Sequence, residues 1–170
     1  MSGRSPQDLW EEYRSTLQGD DHARLPSEAP PAWQFGDSPE MAEELGALVI
    51  AGTKRATAGL VWEYEAEGAA LPQPGAYEIV LDGRGEPWCI LEYTKVEMRP
   101  FDEVDGRFAA LEGEGDGTLA WWREAHWRYF SRRCGVIGRE PDERMPVSCE
   151  QFRVVYVRGS EQAPGPLPQL

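Results

Sequence analysis

The sequence predicts an α+β domain built around a small curved β-sheet or barrel, with helices flanking it. Three observations carry this. Residues 77–96 alternate apolar and polar positions on either side of Gly83-Arg84-Gly85, the pattern of an antiparallel hairpin. Segments 38–51 and 118–132 repeat apolar residues at helical spacing. A last extended run, 147–157, sets Phe152, Val154 and Tyr156 in alternation. Helices interleaved with antiparallel strands on a chain of 170 residues fit one α+β domain with a real core.

Each element has its own local signal. Ser5-Pro6 opens a helix with Leu9, Tyr13 and Leu17 on one face. Residues 19–31 mix prolines and charges without a period and read as a connecting loop. Ser38-Pro39-Glu40 then gives an N-cap, a proline at the first helical position and an acid in the first turn. Met41, Leu45, Leu48 and Val49 continue that helix, and Gly52 fits the position just past its end. Gly59 to Tyr64 is ambiguous between strand and helix, with a short helix preferred. Leu71-Pro72-Gln73-Pro74-Gly75 is a loop, and Phe101, Val104, Phe108 and Leu111 suggest one or two helical turns. Gly159 onward is a Pro-rich tail expected to be disordered. The expected division is an N-terminal helix and loop (1–30), a main domain (31–158) and the tail (159–170).

Composition narrows the function classes. The net charge is −13, a field that repels polyphosphate backbones and disfavours duplex DNA. It leaves room for one nucleoside or a short single-stranded RNA element held by local cations. Cys89, Cys134 and Cys149 are an odd number at long separations, with no CxxC pair, and the histidines stand far apart at His22 and His126. Neither a zinc site nor a disulfide framework is expected. No Walker or GxGxxG loop follows a strand, so no cofactor is expected. Nothing approaches a membrane span and no apolar leader is visible, which gives an expectation of a cytoplasmic protein.

Two constellations carry chemistry. Gly52-Thr53-Lys54-Arg55-Ala56-Thr57 places a lysine and a threonine on a short turn leaving a helix. A lysine desolvated in a pocket loses its proton more readily and serves as base toward a neighbouring hydroxyl. Glu112-Gly113-Glu114-Gly115-Asp116 sets carboxylates on alternate positions, with glycines that let the backbone turn sharply. Such carboxylates suit acid–base work, and they equally suit a solvated loop with Asp116 or Thr118 as N-cap. The helix behind them, with Trp121, Trp122, Arg123, His126, Trp127 and Arg128, interleaves aromatics with arginines. That pattern stacks a base or packs a core. Trp33 ahead of the second helix carries the same pair of readings.

Trp33-Gln-Phe-Gly-Asp37, the Gly52–Thr57 turn, and Glu112–Asp116 leading into Leu119–His126 together resemble the ASCH domain family. The resemblance spans roughly Trp33 to Tyr156. It implies a PUA-like β-barrel and a role in RNA binding or RNA metabolism. Some members are amidohydrolases that remove acyl groups from modified cytidine nucleosides, and a ribonuclease activity is attributed to others. In the amidohydrolases a lysine, a threonine and a glutamate form the catalytic set. Lys54 and Thr57 match the first two, and Glu114 or Glu112 supplies the third, Glu114 being nearer the helix start. Trp33, Arg55, Asp116, Trp122, Arg123 and His126 are the expected ligand-binding residues. The expected partner is a nucleoside-like small molecule or short single-stranded RNA, with no metal, no membrane and no predicted oligomeric state. The alternatives are a non-catalytic RNA-binding module, a ribonuclease, or an adaptor presenting its acidic surface.

Overall fold

A computed structural model describes residues 3–160. The chain is mixed α+β, with six α-helices among the described residues and a five-stranded sheet in the order β1 (Ala32–Trp33), β3 (Tyr77–Leu81), β4 (Pro87–Pro100), β5 (Pro146–Val157), β2 (Ala56–Leu60). The α+β class is as the sequence predicts. The sheet is open, with β1 and β2 as its edges, and closure into a PUA-like barrel is not seen. No helix among the described residues is long and apolar enough to cross a membrane. The Pro-rich tail, beyond Ser160, lies outside the described residues.

The structure divides into two compact units. The first holds residues up to Ala51, Tyr77–Glu92 and the chain from Arg153. Its helix α1 (Pro6–Thr16) starts in a capping box, in which the Asp8 N–H donates to the Ser5 hydroxyl and the Ser5 N–H donates to the Asp8 carboxylate. Leu9, Trp10 and Tyr13 are its buried face, packed with Ile79, Ile90, Val155 and Tyr156. Segment 19–31 is not all loop, because Asp20–Arg24 forms a short helix, α2. Strand β1 (Ala32–Trp33) pairs in parallel with β3 (Tyr77–Leu81), and β3 pairs antiparallel with β4 (Pro87–Pro100). Helix α3 (Pro39–Ile50) is capped by the Ser38 hydroxyl, which accepts from the Met41 N–H. Its most buried positions are Ala42, Gly46 and Val49. A Cβ at Gly46 would stand 2.8 Å from the Trp88 ring, so the helix lies close on small residues and its larger apolar ones flank them.

The second unit holds Gly52–Ala76 and Tyr93–Phe152, and it contains both chemical constellations. Strand β2 (Ala56–Leu60) passes directly into α4 (Val61–Glu67), which resolves the strand-or-helix ambiguity as both in turn. After a 3₁₀ turn (Phe101–Glu103) come α5 (Gly106–Glu112) and α6 (Leu119–Ile137). Helix α6 runs five residues past the predicted end at Arg132. Trp122, His126, Phe130 and Cys134 recur every fourth residue on its buried face. Three of them pack with Ala56, Leu60, Phe101, Phe108 and Val147 in the core of this unit. Strand β5 (Pro146–Val157) pairs antiparallel with β2, matching Thr57 to Glu150 and Gly59 to Ser148.

Candidate functional site

The Lys54 turn and the Glu112–Glu114 loop are sewn together through the backbone. The Arg55 N–H donates to the Leu111 carbonyl at 2.8 Å. Gly113, at φ +63°, sits so close to Thr53 that a Cβ there would fall 2.3 Å from the Thr53 carbonyl oxygen. Gly113 also ends α5 in the left-handed conformation, which glycine adopts without a steric penalty. This seam sends the Lys54 side chain between two carboxylates.

Lys54 and Glu112 are each 1% exposed, while Glu114 is 13% exposed and forms the open side of the cluster. The Lys54 Nζ donates to Glu112 Oε2 at 2.8 Å and to Glu114 Oε1 at 2.6 Å. Glu112 Oε1 accepts the Trp122 indole N–H at 2.9 Å and stands 3.4 Å from His126 Nε2. The other imidazole nitrogen, Nδ1, is 3.0 Å from the Trp122 carbonyl, which only accepts, so Nδ1 carries a proton. The His126 ring stacks on Trp122 at 4.1 Å and 15°.

Burial and pairing oppose each other at every member of this cluster. Burial alone would strip the proton from Lys54, but the two carboxylates outweigh it and its pKa is raised. Burial pushes Glu112 up, yet Lys54 and then His126 more than reverse that, and it is held well below the usual carboxylate range. Glu114 ends raised, because its burial, reinforced by the Glu112 charge, exceeds the pull of Lys54. For His126 burial favours the neutral ring, but the Glu112 carboxylate wins and the pKa is raised. The two glutamates of the loop are therefore pushed in opposite directions: Glu112 is held ionised, and Glu114 takes up a proton more readily than an ordinary carboxylate.

The raised His126 pKa gives a signed prediction. A group protonated more readily in the fold contributes stability that is complete below its unfolded value, about 6.5, and lost as pH rises through its folded value. The melting-temperature gap between wild type and His126→Gln should shrink as pH climbs above that window. An NMR titration in which the His126 ring loses its proton below pH 6.5 would contradict the assignment.

The remaining predicted site residues are distributed unevenly. Trp122 and His126 join the cluster. Asp116 is exposed and accepts both the backbone N–H and the hydroxyl of Thr118, the N-cap of α6. Arg123 is exposed and donates to the Asp102 carbonyl. Arg55 contributes its backbone to the seam. Trp33 belongs to the first unit, where its indole donates to Glu78 and its ring meets Phe35 edge-on. Thr57 is not hydrogen-bonded into the cluster. Ala56 and Leu60 are buried in the core of this unit, and Ala58 packs against it. Strand alternation turns Thr57 and Gly59 to the opposite face. Among the described residues the Thr57 hydroxyl has no hydrogen-bond partner.

Glu112, Glu114 and His126 bring ligand atoms within 4.8 Å of one another, a grouping able to hold a metal ion. The Lys54 ammonium already bonds both carboxylates, and a cation would have to displace it. The three cysteines are free and buried. Sequence reasoning missed Ser148, Glu150 and Tyr64 on the Thr57 side of β2. Ser148 and Glu150 stand at period two in β5, on either side of buried Cys149.

Comparison with known proteins agrees with the motif reading. A family model of the ASCH domain matches residues 31–156. The crystal structure of an ASCH domain from Lactobacillus crispatus JV V101 is 34% identical, with a TM-score of 0.82, covering 92% of this chain and 98% of that one. The crystal structure of a protein from Enterococcus faecalis V583 is 36% identical, with a TM-score of 0.76, covering 86% and 85% of the two chains. A search of curated proteins returned no match. With the family model covering most of the sequence and an ASCH domain sharing the fold, the chain belongs to the ASCH domain family.

Proposed function

We propose that the Lys54–Glu112–Glu114–His126 cluster is the working site of the protein. Its ligand is nucleoside-sized, and its reaction is hydrolysis of an acyl amide on the exocyclic nitrogen of a cytidine-type base. The observation that carries this is a buried ammonium gripped by two carboxylates whose pKa values are driven apart, with the titrating one on the open side.

The proton assignments recast the roles. Lys54 keeps its proton, so it serves as the cation facing a developing oxyanion instead of as a base. Glu114 takes a proton from the attacking water as the C–O bond forms. It returns that proton to the amine nitrogen as the C–N bond breaks, leaving a carboxylic acid and the free base. Glu112 keeps Lys54 charged and aimed, and His126 in turn helps to hold Glu112 ionised. Thr57, as the nucleophile of an acyl-enzyme route, would require its hydroxyl to reach the same carbonyl from the other face of β2.

The test is release of cytidine from acylated cytidine, followed by chromatography. Glu114→Gln should lower kcat by about 10²–10⁴-fold, the usual worth of general acid–base catalysis. Thr57→Val should leave kcat within about threefold if water attacks directly. Undiminished turnover in Glu114→Gln would remove the proposal.

Short single-stranded RNA is a second ligand class, favoured by Arg139 lying over the Trp62 ring at 4.6 Å, a platform on which a base can stack. Its binding should weaken steeply with salt. Titration at low and moderate ionic strength decides it.

A further inference from the structure

One ring of the aromatic helix α6 belongs neither to the core of its unit nor to the Lys54 cluster. Trp122 gives its indole N–H to Glu112, whereas the half-buried ring of its neighbour Trp121 lies on Gly115. A Cβ at Gly115 would stand 2.0 and 2.2 Å from carbons of that ring and 2.5 Å from its nitrogen. Gly115 also has φ +56°, so both the backbone and the approach of the ring require glycine there.

This contact sits one residue from Glu114, in a loop that is tied down on either side. Upstream, Gly113 abuts the Thr53 carbonyl. Downstream, the Gly117 N–H donates to the Glu114 carbonyl at 2.9 Å, and Asp116 accepts from the N–H and hydroxyl of Thr118. The Thr118 hydroxyl in turn accepts the Trp121 N–H at 3.2 Å, which fixes the backbone from which the indole reaches back to the loop. Gly115 has no side chain with which to anchor itself, and the Trp121 ring supplies the packing instead.

The consequence falls on the Glu114 carboxylate, 13% exposed and 2.6 Å from the Lys54 Nζ. Three charged or titratable groups face it: Lys54 from the turn before β2, Glu112 from the end of α5, and His126 from α6. A loop free to swing at Gly115 would carry the carboxylate off the ammonium and into water. Displacements of about 1 Å at a reacting group are enough to cost about 10²-fold in rate.

We propose that Trp121 is a positioning residue, whose ring, packed on Gly115, holds the Glu114 carboxylate against the Lys54 ammonium. For its effect on turnover the proposal rests on the reading of Glu114 given above. For its effect on the loop it rests on the Trp121–Gly115 contact.

The pH dependence separates positioning from simple loss of packing. Burial is the first cause of the raised Glu114 pKa, so a loosened loop should let that pKa fall toward the ordinary carboxylate value. Glu114 acts as a base in the proposed reaction, so kcat declines as pH drops through its pKa. In Trp121→Ala that decline should therefore move to lower pH. At pH 7 the same variant should lose about 10–100-fold in kcat, with KM changed by less than about threefold. Trp121→Phe keeps a flat ring for the glycine and should remain within about threefold of wild type, with its pH profile unmoved. Gly115→Ala, whose Cβ displaces the indole, should reproduce Trp121→Ala. Gly117→Ala, also at positive φ but with nothing within 4 Å, should not. Titration of the Glu114 carboxyl by NMR on glutamate-labelled protein reads the same change without any substrate. A Glu114 titration unchanged in Trp121→Ala overturns the positioning role, even where that variant melts lower than wild type. Absence of turnover in wild type sinks the amidohydrolase reading alone, and the NMR titration then decides the role of Trp121 by itself.

Discussion

Lys54→Met is expected to lower the melting temperature by roughly 6–20 °C at pH 7 and to abolish turnover. Removing one partner of a buried ion pair costs about 3–5 kcal/mol, and a domain of this size loses about 2–4 °C per kcal/mol. The cost arises because Glu112, 1% exposed, is left with a charge and without the ammonium that stabilises it. The penalty has a pH signature. In wild type the Glu112 pKa is depressed, so its contribution is present above the unfolded value, about 4.3, and lost as pH falls through the folded value. Without Lys54, burial opposes the charge on both carboxylates with His126 left beside Glu112, so part of their contribution disappears as pH rises. The gap between wild type and Lys54→Met should therefore widen from pH 4 to pH 7. Adding Glu112→Gln to the Lys54 variant should recover part of the loss, since it removes the stranded charge. A single variant melting within about 2 °C of wild type at pH 7 would show that the pair is not what holds this loop.

The parts of this fold that sequence revealed are those whose cause is local. Ser38-Pro39 and Gly52 bracket α3 through capping rules that need no partner. Thr118 opens α6, and Gly83–Gly85 turns the hairpin. What escaped was set by distant partners. Strand β1 is two residues long and exists because Ala32 and Trp33 pair with Ile79 and Val80. The last turns of α6 run through Arg132, Arg133 and Gly135, a stretch too polar to be read as core, yet Cys134 is fully buried. The site divides in the same way. The motifs marked Lys54, Glu112 and Glu114. The charge on Lys54 followed from a meeting across 58 and 60 residues of chain. Lys54 and Thr57 lie three positions apart in sequence, which sets them together on one turn. Strand geometry begins at Ala56, however, and alternation sends the threonine to the face where Glu150 waits. Ser148 and Glu150 share the parity of Phe152, Val154 and Tyr156, and nothing in the alternation says which polar side chains such a face encloses.

Gly113→Ala is the second substitution expected to act strongly, and it acts on the seam without touching a charged group. Two costs combine. A left-handed backbone with a Cβ costs about 1–2 kcal/mol. The added carbon would also fall 2.3 Å from the Thr53 carbonyl oxygen, a backbone atom that can yield only if the Lys54 turn moves. Gly117 separates these costs. It too has a positive φ, +75°, but nothing lies within 4 Å of its would-be Cβ. Gly117→Ala should therefore show the conformational cost alone, a fall of roughly 2–8 °C, with catalysis and ligand binding kept. Gly113→Ala should fall further, with a total cost of about 2–4 kcal/mol. It should also lose function well below its melting point, because the Arg55–Leu111 hydrogen bond and the Lys54–Glu112 contact depend on the same close approach. Thermal melts and turnover measured on both variants at 15 °C make the comparison. Equal losses in the two would mean that the approach of Gly113 to Thr53 does not position Lys54, and that the ion cluster organises the loop by itself.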